Sequence, residues 1–191
     1  MTRWTVVHGR FQPFHLGHLE YLGLAVERGG HVLVGITNPA LGRLAVEHTS
    51  GHRHRKDANP YTYFERAEMI TGSLPEVPGA TAAAVRIVPF DVSDPAVWDD
   101  YLPRGALHLV TLNEPWDQEK YERFRAAGYA VEAVPGNPHR VTATEVRRRM
   151  AHGEDWRALV PRGTARVIDG LPTPREFPRT PLYRPESTEA P

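Results

Sequence analysis

The chain of 191 residues contains no cysteine, which excludes a disulfide framework and any thiolate metal site. Lysine is nearly absent: Lys56 and Lys120 are the only two among 23 basic residues. Those 23 are matched by 23 acidic residues, so no global field draws a polyanion, and neither RNA nor DNA is expected as a partner. No apolar run approaches the length that spans a bilayer, and the chain enters a strand pattern at once without a signal-peptide pattern. A soluble, cytoplasmic protein without a membrane partner is the expectation. Walker A and GxGxxG patterns are both missing, which removes support for a P-loop kinase or a nicotinamide-dependent dehydrogenase. His52-x-His54 could offer two metal ligands, but no carboxylate or thiolate accompanies them at metal-site spacing, so no resident metal is expected.

Five short apolar runs alternate with helical patterns. Trp4–His8, His31–Asn38, Ala84–Pro89, Ala106–Leu112 and Tyr129–Val134 read as strands, and His31–Asn38 is nearly continuous, as in a strand buried on both faces. Between and after them lie amphipathic or capped segments: one from Leu19, one from Tyr63, a short one after Asp94-Pro95 carrying Trp98 and Tyr101, and one over Asp117–Ala127. Two more follow, from Thr144 with Thr142 or Thr144 as cap and near Ala165–Ile168. The alternation predicts an α/β fold: a doubly wound, Rossmann-like parallel sheet of about five strands with helices on both faces. Residues 1–170 form the expected domain. From Leu171 to Pro191 proline recurs without apolar periodicity, which reads as an extended tail. The segment from Ala40 to Pro60 has no sustained periodicity and carries Arg43, His48, His52, Arg53, His54, Arg55 and Lys56, which suggests a basic lid.

The stretch Gly9-Arg10-Phe11-Gln12-Pro13-Phe14-His15-Leu16-Gly17-His18 lies between the first strand and the first helix. In α/β proteins that junction is where helix N–H groups meet phosphates. His15-Leu16-Gly17-His18 resembles the HxGH signature of the nucleotidyltransferase superfamily. The longer string GRFQPFHxGH resembles the archaeal-type nicotinamide mononucleotide adenylyltransferases and the related phosphonate cytidylyltransferases. Val141-Thr142-Ala143-Thr144-Glu145-Val146-Arg147 is similar to the ISxTxxR signature of the same enzymes, with Val for Ile and Thr for Ser. Asn59-Pro60-Tyr61-Thr62, followed by Glu65-Arg66, resembles their Asn-Pro-Phe-Thr…Glu-Arg segment.

The resemblance implies transfer of a nucleotidyl group from an NTP, with release of pyrophosphate. The attacking phosphate or phosphonate oxygen is already anionic, so positioning and charge neutralisation carry the catalysis. It implies catalytic roles for His15, His18 and Arg147, and nucleotide contacts from Gly9, Arg10, Phe11, Gly17, Thr142 and Thr144. Acceptor contacts are assigned to Asn59, Thr62, Arg66, Arg55, Trp98 and Trp116, although a structural tryptophan is the favoured reading of Trp98. Mg²⁺ is expected to arrive with the NTP, held mainly by phosphate and water oxygens. CTP with a small phosphonate or phosphate acceptor is the favoured substrate pair, because the lid offers cations but no aromatic residue between Ala40 and Asn59. ATP with nicotinamide or nicotinate mononucleotide is the alternative. A nucleotide-binding regulatory module without catalysis is a third reading, and a homo-oligomer is left open.

Overall fold

A computed structural model describes residues 3–42, 55–137 and 139–172. Arg43, His48, His52, Arg53 and His54 of the expected lid lie outside the described residues, as does the tail from residue 173 onward. Five strands, β1 (Trp4–Gly9), β2 (His31–Thr37), β3 (Val85–Phe90), β4 (Leu107–Leu112) and β5 (Ala130–Pro135), pair in parallel in the order β3-β2-β1-β4-β5. Among the described residues six helices accompany them: α1 (Leu16–Glu27), α2 (Tyr63–Ser73), α3 (Trp98–Tyr101), α4 (Pro115–Ala126), α5 (Ala143–His152) and α6 (Arg162–Asp169). The doubly wound parallel sheet is therefore present, with helices on both faces. No helix among the described residues is long and apolar enough to cross a membrane.

Alternation along each strand feeds two cores. Val7 on β1, Val32, Val34 and Ile36 on β2, and Leu109 on β4 pack against Leu22 and Ala25 of α1 and Met69 and Ile70 of α2. Val6, Leu33 and Val110 point to the opposite face, where Trp98 of α3 and Trp116 and Phe124 of α4 cover them. A third, smaller cluster joins Val146 of α5 to Trp156 and Val160. Pro89 and Pro135 lie in the two edge strands, where a missing N–H breaks no inner ladder.

Local chemistry sets the helix starts. Thr62 caps α2 in a reciprocal box: its hydroxyl accepts from the Glu65 N–H at 3.2 Å, and Glu65 Oε2 accepts from the Thr62 N–H at 2.8 Å. Thr142, rather than Thr144, caps α5 by accepting from the Glu145 N–H at 3.2 Å. Helix α4 begins two residues earlier than the charge pattern from Asp117 suggests, because Pro115 is preset for the first helical position. Strand order reverses direction between β1 and β4, and that switch point lies directly under the Gly9–His15 turn.

Candidate active site

Beyond Gly9 the chain makes a tight turn in which Phe11 has a φ of 52°, a left-handed backbone that costs a residue with a side chain on the order of 1 kcal/mol. Distant segments hold that turn. Gln12 exchanges two hydrogen bonds with the backbone of Tyr61: its Nε2 donates to the Tyr61 carbonyl at 2.8 Å, and its Oε1 accepts from the Tyr61 N–H at 2.9 Å. Arg147 Nη1 donates to the Gln12 carbonyl at 2.6 Å. Arg66 is wholly buried, and its guanidinium donates to the carbonyls of Arg10, Thr37 and Asn38 at 2.8–2.9 Å, with Nε on the Thr62 carbonyl at 3.1 Å. Burial pulls its pKa down to about 10.

His15 caps α1, and the ring of His18 lies against it, with centroids 3.6 Å apart and planes 23° apart. Phe11 meets the His18 ring edge-on and Phe14 stacks on it at 5.7 Å, so its orientation is fixed on several sides. The His15 N–H donates to His18 Nδ1 at 3.3 Å. His18 therefore carries its ring proton on Nε2, leaving that N–H as a donor. Burial, with help from Arg140 and Arg147, lowers the His15 pKa to about 3. Burial, His15, Arg10 and Arg140 hold His18 well below its ordinary value. Both imidazoles are neutral donors at physiological pH.

The start of α5 abuts the start of α1. A Cβ on Gly17 would lie 3.2 Å from the Val141 carbonyl and 3.3 Å from the His15 ring, so glycine lets the two motif helices touch. This is an approach to the second motif's backbone, where the sequence suggests an approach to base or phosphate. Gly136 makes a similar allowance: a Cβ there would meet the Leu112 carbonyl at 2.3 Å, and the next N–H, of Asn137, donates to Asn113 Oδ1 at 3.1 Å. Thr142 and Thr144 both face the gap between the helices.

Two cavities flank β1. The first, of about 260 Å³, lies on the β4–β5 side, and its wall includes Arg10, His15, His18, Arg140, Thr142 and Thr144. Gly9, Phe11 and Gly17 also line it. The second, of about 360 Å³, lies on the β2–β3 side among Thr37, Asn38, Phe90, Ser93, Tyr101 and Trp116. His8, Gly9, Arg10 and Lys120 border both.

The expected acceptor residues fare unequally. Trp116 lines the second cavity, with the Arg123 guanidinium 5.0 Å from its ring centre. Trp98 is a core residue whose Nε1 donates to the Asp91 carbonyl at 2.9 Å. Arg66 is a structural brace and Thr62 a helix cap, and neither lines either of these two cavities. Asn59 is buried with its Nδ2 on the Arg55 carbonyl at 2.7 Å, and Arg55 itself pairs with Asp57 at 3.0 Å; both are off the cavity walls. Arg147 is not on the wall of either cavity; it sits behind the turn. Sequence reasoning misses Arg140, which pairs with Glu114 at 3.2 Å and stands one residue before the second motif. It also misses Lys120, whose place on the Trp116–Lys120–Phe124 stripe of α4 was the available signal. Among the described residues no three His, Asp or Glu side chains gather to hold a metal ion.

The sequence profile of the cytidylyltransferase-like family matches residues 6–149, a span containing both motifs. The chain belongs to that family. It is 42% identical over 164 residues to a phosphonoformate cytidylyltransferase of Streptomyces viridochromogenes, covering 85% of this chain and 89% of that one. It is 34% identical over 166 residues to a nicotinamide-nucleotide adenylyltransferase of Thermococcus kodakarensis, covering 84% and 79%. A bifunctional NMN adenylyltransferase/ADP ribose pyrophosphatase of Francisella tularensis, solved with AMP and a manganese ion, matches with a TM-score of 0.55 at 22% identity. That match covers 80% of this chain and 42% of the larger protein, and it concerns the fold. Cytidylyl- and adenylyltransferases being its relatives, this family member is a nucleotidyltransferase.

Proposed function

We propose that this nucleotidyltransferase moves CMP from CTP to a small phosphonate and releases pyrophosphate. The observation that carries the reading is the greater likeness to the phosphonoformate enzyme, 42% identical over 85% of the chain. The paired cavities support it. Nucleotide in the β4–β5 cavity and acceptor in the β2–β3 cavity would meet at the end of β1, where Arg10 and Lys120 border both.

In this reaction a phosphonate oxygen attacks the α-phosphorus of CTP, a new P–O bond forms, and the bond to the β-phosphate oxygen breaks in line with it. The acceptor oxygen brings its own negative charge, so no side chain need remove a proton. His18 supplies its Nε2–H to the charge that builds on the α-phosphoryl oxygens, and His15 stacks beside it as a second neutral donor. Arg140, the Thr142 and Thr144 hydroxyls and the N-terminus of α5 receive the departing pyrophosphate. Arg147 holds the Gln12 carbonyl and thereby the turn that aims His15 and His18. Mg²⁺ enters as the counter-ion of the triphosphate, where it neutralises phosphate charge.

The second reading, a nicotinamide or nicotinate mononucleotide adenylyltransferase, draws on the archaeal relatives and on Phe90, Tyr101 and Trp116, aromatic walls suited to a planar ring. A matrix of pyrophosphate release decides between them: four NTPs, each with phosphonoformate, methylphosphonate, nicotinamide mononucleotide and nicotinate mononucleotide. Fastest release from CTP with a phosphonate is expected. Faster release from ATP with a mononucleotide would replace the first reading by the second, and binding of NTP without release from any pair would leave a regulatory module.

A further inference from the structure

His8 is the penultimate residue of β1, one step before the family motif begins. Its side chain is 3% exposed, and it borders both cavities. Neither ring nitrogen has a hydrogen-bond partner. Its ring stacks on Phe124 at 4.8 Å and on Phe90 at 6.0 Å, which can accept no N–H bond of ordinary strength, and lies 5.7 Å from the His108 ring, whose nitrogens are likewise without partners. A buried polar ring left without partners costs on the order of 1–3 kcal/mol per group, so its persistence calls for a ligand or solvent that satisfies it. Burial, the Lys120 ammonium and His108 hold the imidazole neutral, which leaves one N–H to donate. Lys120 is nearly buried and pairs with Asp117 Oδ1 at 3.3 Å. Asp117 is itself fixed, because its Oδ2 accepts from the N–H groups of Asn113 and Glu114 at 3.1 and 3.2 Å.

We infer that His8 and Lys120 together bind the phosphonyl group of the acceptor at the junction of the two cavities and hold its oxygen against the α-phosphorus. This rests on the phosphonate cytidylyltransferase reading. A neutral N–H and an ammonium suit a compact dianion: the lysine compensates charge, and the imidazole adds direction while its ring stays braced by the two phenylalanines. The three cations or donors at this junction, His8, Arg10 and Lys120, come from different elements, the end of β1, the turn and α4.

The test compares wild type, His8→Phe, His8→Gln and Lys120→Met by steady-state pyrophosphate release with CTP and phosphonoformate. Wild-type turnover establishes the reaction first, and its absence sinks the functional reading without bearing on His8. The binding arm needs no turnover: protein labelled with ¹⁵N-histidine is titrated with methylphosphonate alone, and the His8 ring signals are assigned by their loss in His8→Phe. A shift of those signals is expected. In turnover, His8→Phe and Lys120→Met should each raise the acceptor KM by about 10-fold or more, the loss of one charge-assisted hydrogen bond, with the CTP KM changed less than about 2-fold. His8→Gln keeps a donor and should recover part of the acceptor affinity. Thermal protection by CTP reports that each variant is folded; should His8→Phe fail that check, His8→Gln and Lys120→Met carry the comparison. Unmoved His8 signals, unchanged acceptor KM, or an effect confined to the CTP KM would overturn the assignment.

Discussion

On the β4–β5 side of β1 the cavity wall includes two helix N-termini, two stacked histidines and a hydroxyl cap from two short sequence motifs, beside residues of β4, α4 and β5. On the β2–β3 side the wall is assembled from short runs at the ends of three strands, residues 8–10, 37–40 and 89–94, with Val97, Tyr101, Trp116 and Lys120. The first suits the extended polyanion of the proposed reaction, since backbone donors in fixed array recognise phosphate whatever else the ligand carries. The second has neither motif helix on its wall, so its chemistry can change by substitution while the fold and the proposed phosphate site persist. Under the proposed function, reaction class belongs to the first cavity and acceptor choice to the second.

The sharpest way to break that division is at Arg66, which bridges the ends of β1 and β2 and serves both cavities through the fold. Arg66→Ala would orphan the Arg10, Thr37 and Asn38 carbonyls and should destabilise the protein by roughly 3–5 kcal/mol in chemical denaturation. An unchanged midpoint with a raised acceptor KM would instead restore it as an acceptor ligand. His18→Ala should lower kcat by at least ~100-fold while acceptor KM changes little; unaltered turnover would remove His18 from the mechanism.

Arg147→Ala should raise the CTP KM and lower kcat by about 10-fold each, because the turn loses its hold on Gln12. Unchanged values for both would refute the bracing role.

These outcomes bear on what the amino-acid order reveals. The strands were legible because apolar runs bounded by turns have one economical reading, and His15, His18, Thr142 and Thr144 because their chemistry is local. Arg66, expected as an acceptor ligand, is a buried brace on three carbonyls. Glu65-Arg66 looks like an exposed pair at a helix start, and only the sheet's closure over α2 shows the guanidinium turned inward. The Gln12–Tyr61 bonds span 49 residues and leave no spacing signature. His8 hides as the last residue of an apolar run, and Lys120 as one charge among many on α4. The aromatic-free lid falls mostly outside the described residues, while the described second cavity carries aromatic walls.

A pH series separates the two sides more finely. His8, His15, His18 and His108 are all held below their ordinary pKa by burial, His15 and His108 to about 3. The unfolded chain takes up protons near pH 6.5 while the fold keeps these rings neutral. Stability is therefore fully present above pH 6.5 and falls as pH drops toward 3, by about 1.4 kcal/mol per pH unit for each ring. CTP should offset the loss at His15 and His18 by favouring their protonated forms, and phosphonate the loss at His8. Melting temperatures that stay level from pH 7.5 to 5 would contradict the neutral buried rings. The smallest effect is expected for truncation after Pro172, which should alter kcat/KM by less than about 2-fold; a collapse would show that the tail contributes to the site.

The most direct test of direct transfer between the two cavities is a ³¹P NMR spectrum of the wild-type enzyme with CTP, Mg²⁺ and phosphonoformate. The account predicts two mutually coupled signals of a CMP–phosphonate anhydride growing in step with pyrophosphate. Pyrophosphate without the coupled pair, or no change in the spectrum while ATP with nicotinamide mononucleotide turns over, would contradict it.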